Sequence, residues 1–178
     1  GKTLADFGAE VIKVEPPAVE GGAGGDPLRQ WRMLHNGTSV WWQVQSRNKQ
    51  SVVLDLRTDE GRDTVRRLID EADVLIENNL PAVMRRRGFD YRSLAESNPE
   101  LVMISITPFG QTGPYSDRPA LDIVVQAMGG MMSITGEAGG GPVRPGASSG
   151  DLTAALLATL GVLTALPDRQ RSGRGQAI

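Results

Sequence analysis

SVVLDLRTDEGRDTVRRLIDEADVLIE, residues 51–77, holds the pattern that decides the fold. Residues 51–56 are rich in valine and leucine and read as a strand. Thr58 then opens a helix, and Asp59 and Glu60 place acidic charge where that helix's dipole favours it. Val65, Leu68, Ile69 and Ala72 recur at helical spacing as a buried stripe, and residues 73–77 form a short apolar run that reads as the next strand. Strand, helix and strand within roughly thirty residues make a βαβ unit with parallel strands.

The same alternation extends both ways. Leu4, Ala5, Phe7 and Gly8 read as the tail of a helix stopped by glycine, and residues 10–15 as a strand that Pro16 and Pro17 terminate. Residues 18–36 lose periodicity and read as a long loop carrying Arg29 and Arg32. Beyond the opening stretch, Pro81 starts a short helix that Gly88 stops, and residues 101–106 form a strand. A turn-rich loop covers 108–119, helices are expected over 121–132 and 152–166, and a strand begins at 176–178. Repeated alternation of this kind argues for an open, mostly parallel sheet with helices on both faces, binding ligands beyond the carboxyl ends of its strands.

Composition narrows the function. The 178 residues are 39% apolar with mixed charge, which suits a globular domain with a sizeable core. A net charge of −2 and a pI near 5.5 give no global field to draw in nucleic acid or an anionic membrane, so neither is expected as a partner. Without cysteine there is no disulfide, thiolate ligand or thiol nucleophile, and a cytoplasmic location is expected. Residues 152–166, bounded by Asp151 and Pro167, fall about a turn short of a bilayer span and read as a buried helix. The chain starts in helical pattern without an initiator Met and stops as a strand begins, so it reads as a fragment.

Among the candidate site residues, Asp151 in Ala147-Ser148-Ser149-Gly150-Asp151-Leu152 matters most. At the mouth of an apolar helix it is either a cap for the first free amides or a carboxylate nucleophile kept ionised by the same field. Glu15 closes its strand either as an ordinary strand-end carboxylate or as a ribose-binding acid. Arg47, Lys49 and Arg57 flank the second strand and suit a polyphosphate, whereas Arg85, Arg86 and Arg87 complement a helix C-terminus. His35, the single histidine, lies in the loop and receives no role; with one His and no Cys, a Ser-His-Asp triad or a His-rich metal centre does not fit. Met128, Met131 and Met132 read either as core or as an acyl pocket, and Trp31, Trp41 and Trp42 either as anchors of the long loop or as a stacking surface.

Five ordered blocks give the chain a resemblance to the family III CoA-transferases, the group of formyl-CoA transferase, the carnitine CoA-transferases and the methylacyl-CoA racemases. They are residues 4–16 (LADFGAEVIKVEP), 47–56 (RNKQSVVLDL), 72–78 (ADVLIEN), 109–115 (FGQTGPY) and 172–176 (SGRGQ). The resemblance implies an α/β, Rossmann-like large domain, here lacking its first strand and the smaller C-terminal domain, so that residues 1–178 are an N-terminal half. It also implies that Asp151, in the pair Gly150-Asp151, is the nucleophile. Its carboxylate would attack an acyl-CoA carbonyl, and the resulting anhydride would become an aspartyl-CoA thioester from which an acceptor acid takes the CoA. Coenzyme A enters as substrate, with no tightly bound cofactor and no metal. By the same likeness Leu54 and Arg57 lie by the adenosine end, Asn78 and Asn79 contact CoA, and Arg86 serves its phosphates. Members form interlocked homodimers.

The departures carry information too. The family often has an aromatic residue where Asn79 stands and a base where Pro16 stands, which weakens the expected grip on CoA. The racemase branch carries a catalytic histidine where this chain has Leu121, so half of a two-base proton shuttle is missing. The expected activity is therefore acyl-CoA:carboxylate CoA transfer, with the fragment alone inactive. An acyl-CoA racemase and a non-catalytic CoA-binding module are the alternatives.

Overall fold

Parallel pairing of short aliphatic strands is the framework of both halves of the molecule. The computed structural model describes residues 1–18 and 24–178, and part of the long loop expected at 18–36 lies outside the described residues. The chain divides into two units, Gly1–Leu68 and Ile69–Ile178.

In the first unit, helix α1 (Lys2–Asp6) leads to β1 (Ile12–Glu15), which pairs in parallel with β4 (Gln50–Val53), Ile12 standing opposite Gln50 and Glu15 opposite Val53. From residue 24 onward, the described part of the segment between them carries regular structure. Asp26 caps a 3₁₀ turn at Pro27–Gln30 by accepting the Leu28 N–H at 2.8 Å. Then β2 (Leu34–His35) and β3 (Thr38–Ser39) form an antiparallel ribbon. Ser39 starts α2 (Val40–Ser46), its hydroxyl accepting the Trp42 N–H at 3.1 Å and donating to the Trp31 carbonyl at 2.6 Å. Sequence periodicity missed this helix because residues 40–46 are mostly β-branched, aromatic and amide types; the Ser39 cap offsets their weak preference. α3 (Asp59–Asp70) follows with its acidic first turn, and Val65 and Ile69 are buried as expected.

The second unit is built on β5 (Val74–Glu77), β6 (Val102–Ser105) and β7 (Gln176–Ala177), a parallel sheet in that order. β6 is buried from Val102 to Ile104, and Leu94, Leu101, Val162 and Ala165 complete the core. Pro81 opens α4 (Pro81–Arg87), and Gly88 closes it in the left-handed region at φ 70°. α5 (Tyr91–Leu94) is capped by Asp90. These elements establish the α/β class with parallel sheets.

Two helix expectations need correction. Helix α6 (Asp122–Met128) ends four residues short of the expected 132, because Gly130 takes φ 81° and the chain turns into a 3₁₀ segment at Met131–Ile134. Helix α7 (Ser149–Ser172) is longer than 152–166, beginning before Asp151 and running through Pro167 to a left-handed Gly173. At 24 residues, with a best-window mean hydropathy of 1.5, it is long and apolar enough by length and composition alone to cross a bilayer, contrary to the shorter reading. Nor is it a buried helix. Val162 and Ala165 are buried, but Leu152, Leu156, Leu157, Leu160 and Leu163 are each 55–60% exposed. Its apolar residues surround it without a single stripe, so one side packs on α6 and β6 and the rest faces outward.

Candidate functional site

A cavity of about 300 Å³ opens at the carboxyl ends of β5 and β6, where open parallel sheets place their ligands. Asn78 enters its wall directly after β5, and Ile106 and Thr107 enter directly after β6. From the other side come Asp122 of α6 and Gly150 and Asp151 of α7.

Hydrogen bonds show which carboxylate caps the start of α7. Asp151 is the third residue of α7, and the free amides of the first turn include its own and that of Gly150. Both donate to Asp122 Oδ1, from Gly150 at 2.9 Å and from Asp151 at 3.2 Å. Asp122 therefore does the capping across the helix pair. Among the described residues the Asp151 carboxylate accepts no hydrogen bond, and it stands exposed on the cavity wall. Desolvation by the surrounding protein, followed by the charge of Asp122, raises its pKa above the ordinary carboxylate value.

Asp122 is held in turn. Its Oδ2 accepts from Gln126 Nε2 at 2.6 Å and lies 3.9 Å from Arg144 Nη2. Gln126, 2% exposed, also donates to the Ala147 carbonyl at 3.1 Å. Gln126 Oε1 and the Thr107 hydroxyl are buried without a hydrogen-bond partner among the described residues.

The expected CoA-binding residues are only partly gathered. Asn78 shares the cavity with Asp151. Asn79 is turned onto Glu77, its N–H donating to Oε2 at 2.7 Å, and it does not line the cavity. Arg86 is exposed in the last turn of α4, where cations complement the helix dipole, and it too lies off the cavity wall. Leu54 and Arg57 belong to the first unit. Leu54 follows β4 with its N–H on the Glu15 carbonyl at 3.0 Å. Arg57 is exposed and closed on Asp55 by two guanidinium bonds of 2.9 Å, which hold the Asp55 pKa at about 2.

Several other candidates resolve to structure. Glu15 is a buried strand-end carboxylate, fully occupied: Arg29 grips it at 2.8 and 3.0 Å, Ser51 donates at 2.5 Å and the Asp26 N–H at 2.8 Å. No acceptor capacity remains for a ribose. Arg29 stacks on buried Trp42 at 4.1 Å, so that tryptophan anchors the loop, whereas Trp31 and Trp41 are exposed on either side of Arg32. Arg47 pairs with Asp6 at 2.9 Å. Met128 and Met131 are exposed and line no part of this cavity, which sets aside the core reading for both. Asp122 and Gln126 were missed as site residues. Their one sequence signal is an i, i+4 acid–amide pair at a helix start, which many surface helices share.

The sequence profile of CoA-transferase family III matches residues 1–178. The chain is 48% identical to succinyl-CoA--D-citramalate CoA-transferase of Chloroflexus aurantiacus, over all of this chain and 43% of that protein. It is 44% identical to succinate--glutarate CoA-transferase of Agrobacterium fabrum, over all of this chain and 45% of the relative. The crystal structure of a CAIB/BAIF family protein from Brucella suis superposes with a TM-score of 0.91 at 42% identity, covering this chain fully and 47% of that one. The chain thus spans less than half the length of these relatives.

Proposed function

The chain belongs to CoA-transferase family III, and from that premise we propose that the intact protein moves CoA from an acyl-CoA donor to a carboxylic acid acceptor, with Asp151 as nucleophile. Residues 1–178 would be part of its large domain. The observation that carries this reading is the uncommitted Asp151 carboxylate in the cavity wall, its capping role taken by Asp122. In the proposed reaction Asp151 attacks the thioester carbonyl and the CoA thiolate leaves, giving an acyl-aspartyl anhydride. The thiolate then attacks the aspartyl carbonyl, releasing the donor acid and forming an aspartyl-CoA thioester. The acceptor carboxylate and the thiolate repeat the two steps in reverse, which regenerates Asp151 and delivers the new acyl-CoA.

The raised pKa of Asp151 makes its ionised form a stronger nucleophile than an ordinary carboxylate, while repulsion from Asp122 favours neutralising it by acylation. The Gly150 and Asp151 amides already bond Asp122, so donors to each tetrahedral oxyanion come from other wall groups, of which the Asn78 amide and Thr107 hydroxyl are the side chains with N–H or O–H. Leu54, Arg57, Asn78, Asn79 and Arg86 are proposed to bind CoA. For Arg57 this means exchanging the Asp55 carboxylate for a phosphate, to which its planar fork is equally suited. The relatives named above suggest short dicarboxylic acids as first candidates for donor and acceptor. A homodimer is part of the proposal, supported by the leucines that α7 leaves exposed.

The test is peptide-level mass spectrometry of the intact protein incubated with succinyl-CoA and a panel of other acyl-CoAs and quenched with hydroxylamine or borohydride, beside Asp151→Ala. An adduct on Asp151, absent from the variant, is expected together with loss of CoA exchange by at least about a thousandfold. Exchange that survives in Asp151→Ala, or solvent deuterium entering the carbon beside the thioester without any exchange, would overturn the proposal.

A further inference from the structure

We propose that Asp122 is a positioning residue for the Asp151 nucleophile: it occupies the amides on which Asp151 would otherwise close, and so keeps the nucleophile's carboxylate turned to the cavity. The inference rests on the reading of Asp151 given above and adds a reason for its geometry. A carboxylate in the first turn of a helix has free N–H groups within reach and a dipole that favours bonding to them. Asp151 has that opportunity and does not take it, because both nearby amides are already engaged by Asp122 Oδ1.

Three further features support this. Gly150 is the residue that permits the approach, since a Cβ there would stand 2.9 Å from Asp122 Oδ1 and 3.4 Å from a Val125 methyl. The Gly150-Asp151 pair thus has a steric basis: glycine admits the foreign cap, and the cap releases the aspartate. Gln126 fixes the other Asp122 oxygen at 2.6 Å and ties the Ala147 carbonyl at 3.1 Å, so the chain entering α7 and its first amides are both held to α6. Asp122 is also set apart chemically, because its side chain is only 8% exposed and its charge is matched by backbone N–H groups and by Arg144 at 3.9 Å. Asp122 and Asp151 are the two carboxylates on the cavity wall, and the remaining wall residues are uncharged.

The intact protein is the material for the test. The rate of Asp151 adduct formation is followed by quenched mass spectrometry, with KM for the acyl-CoA and the pH profile measured in parallel, for wild type, Asp122→Ala and Asp122→Asn. Asp122→Ala is expected to slow the adduct step by about a hundredfold, the scale of an angstrom-size misplacement, with KM changed by less than about threefold. Asp122→Asn keeps an oxygen for the two amides and is expected to restore the rate to within about tenfold of wild type. It also removes a negative charge facing Asp151, so the acid limb of the profile moves to lower pH; Arg144 is the charged neighbour of Asp122 and is unchanged in both variants. An Asp122→Ala protein that forms adduct at the wild-type rate overturns the inference, and so does an Asp122→Asn protein as slow as Asp122→Ala. If wild type forms no Asp151 adduct, the nucleophile reading itself fails; if wild type reacts normally and the variants do not separate, only the role of Asp122 fails.

Discussion

Two carboxylates at opposite extremes show how residue-level chemistry divides between holding the fold and serving the site. Glu15 is buried, and the Arg29 guanidinium first, then Ser51 and the Asp26 amide, depress its pKa from 4.5 to about 2. A depressed carboxylate stabilises the fold above its unfolded value and loses that contribution as pH falls, here over the window from 4.5 down to about 2. Glu15→Gln is expected to cost roughly 3 kcal/mol at neutral pH in urea titrations, with the gap to wild type closing across that acid window. Asp151 behaves in the opposite sense. Its raised pKa means that the folded state binds the proton more tightly than the unfolded state does, so its ionised form detracts from stability at neutral pH. Asp151→Asn should therefore melt above wild type at pH 7, and the difference should vanish below pH 3.8, the unfolded value. A melting point equal to wild type at pH 7 would contradict the unfavourable setting of the ionised Asp151 carboxylate. The setting of Asp151, with Gly150 before it and an apolar helix after it, left cap and nucleophile both open, and only the family resemblance pointed to the nucleophile. The identity of the cap was not legible in the sequence, because Asp122 stands 29 positions from Asp151 and reaches it only through the packing of α6 on α7.

Among elements, β1, β5 and β6 lie within the expected ranges to one or two residues, and β4 stops at Val53 rather than 56. Short runs of valine, isoleucine and leucine bounded by polar residues carry that information locally. α2 and the limits of α6 and α7 are set by other means: a serine cap, a glycine pair and a helix that continues through Pro167 to a left-handed Gly173. β7 depends on a close approach that the Ser172-Gly173-Arg174-Gly175-Gln176 block encodes. The Gly175 N–H bonds the Pro99 carbonyl at 2.9 Å, and a Cβ at this position would overlap the Leu101 carbonyl. Gly175→Ala is expected to destabilise the protein by about 2 kcal/mol and to weaken protection of the β6–β7 amides in hydrogen exchange. Unchanged stability would show that β7 adds little to the sheet.

For the molecule as a whole, the dominant fact is the outward face of α7. Leu152, Leu156, Leu160 and Leu163 follow one another at helical spacing along one side, each more than half exposed. On the homodimer reading, Leu156→Glu combined with Leu160→Glu should shift the intact protein toward monomer in light scattering while leaving its circular dichroism unchanged; a dimer of undiminished strength would place the interface elsewhere. The same helix is fastened at both ends. Its first turn is seated on Asp122, and near its last turn Arg169 bonds Asp73 Oδ1 at 2.7 Å. Its 24 residues span roughly 36 Å between those moorings. α7 is thus a clamped beam, with the leucine face as its loaded span and Asp151 beside one support. If a partner packs on that span and Asp151 is the nucleophile, as proposed, pressure on the span would tilt the support and so give assembly mechanical leverage over the aim of the Asp151 carboxylate.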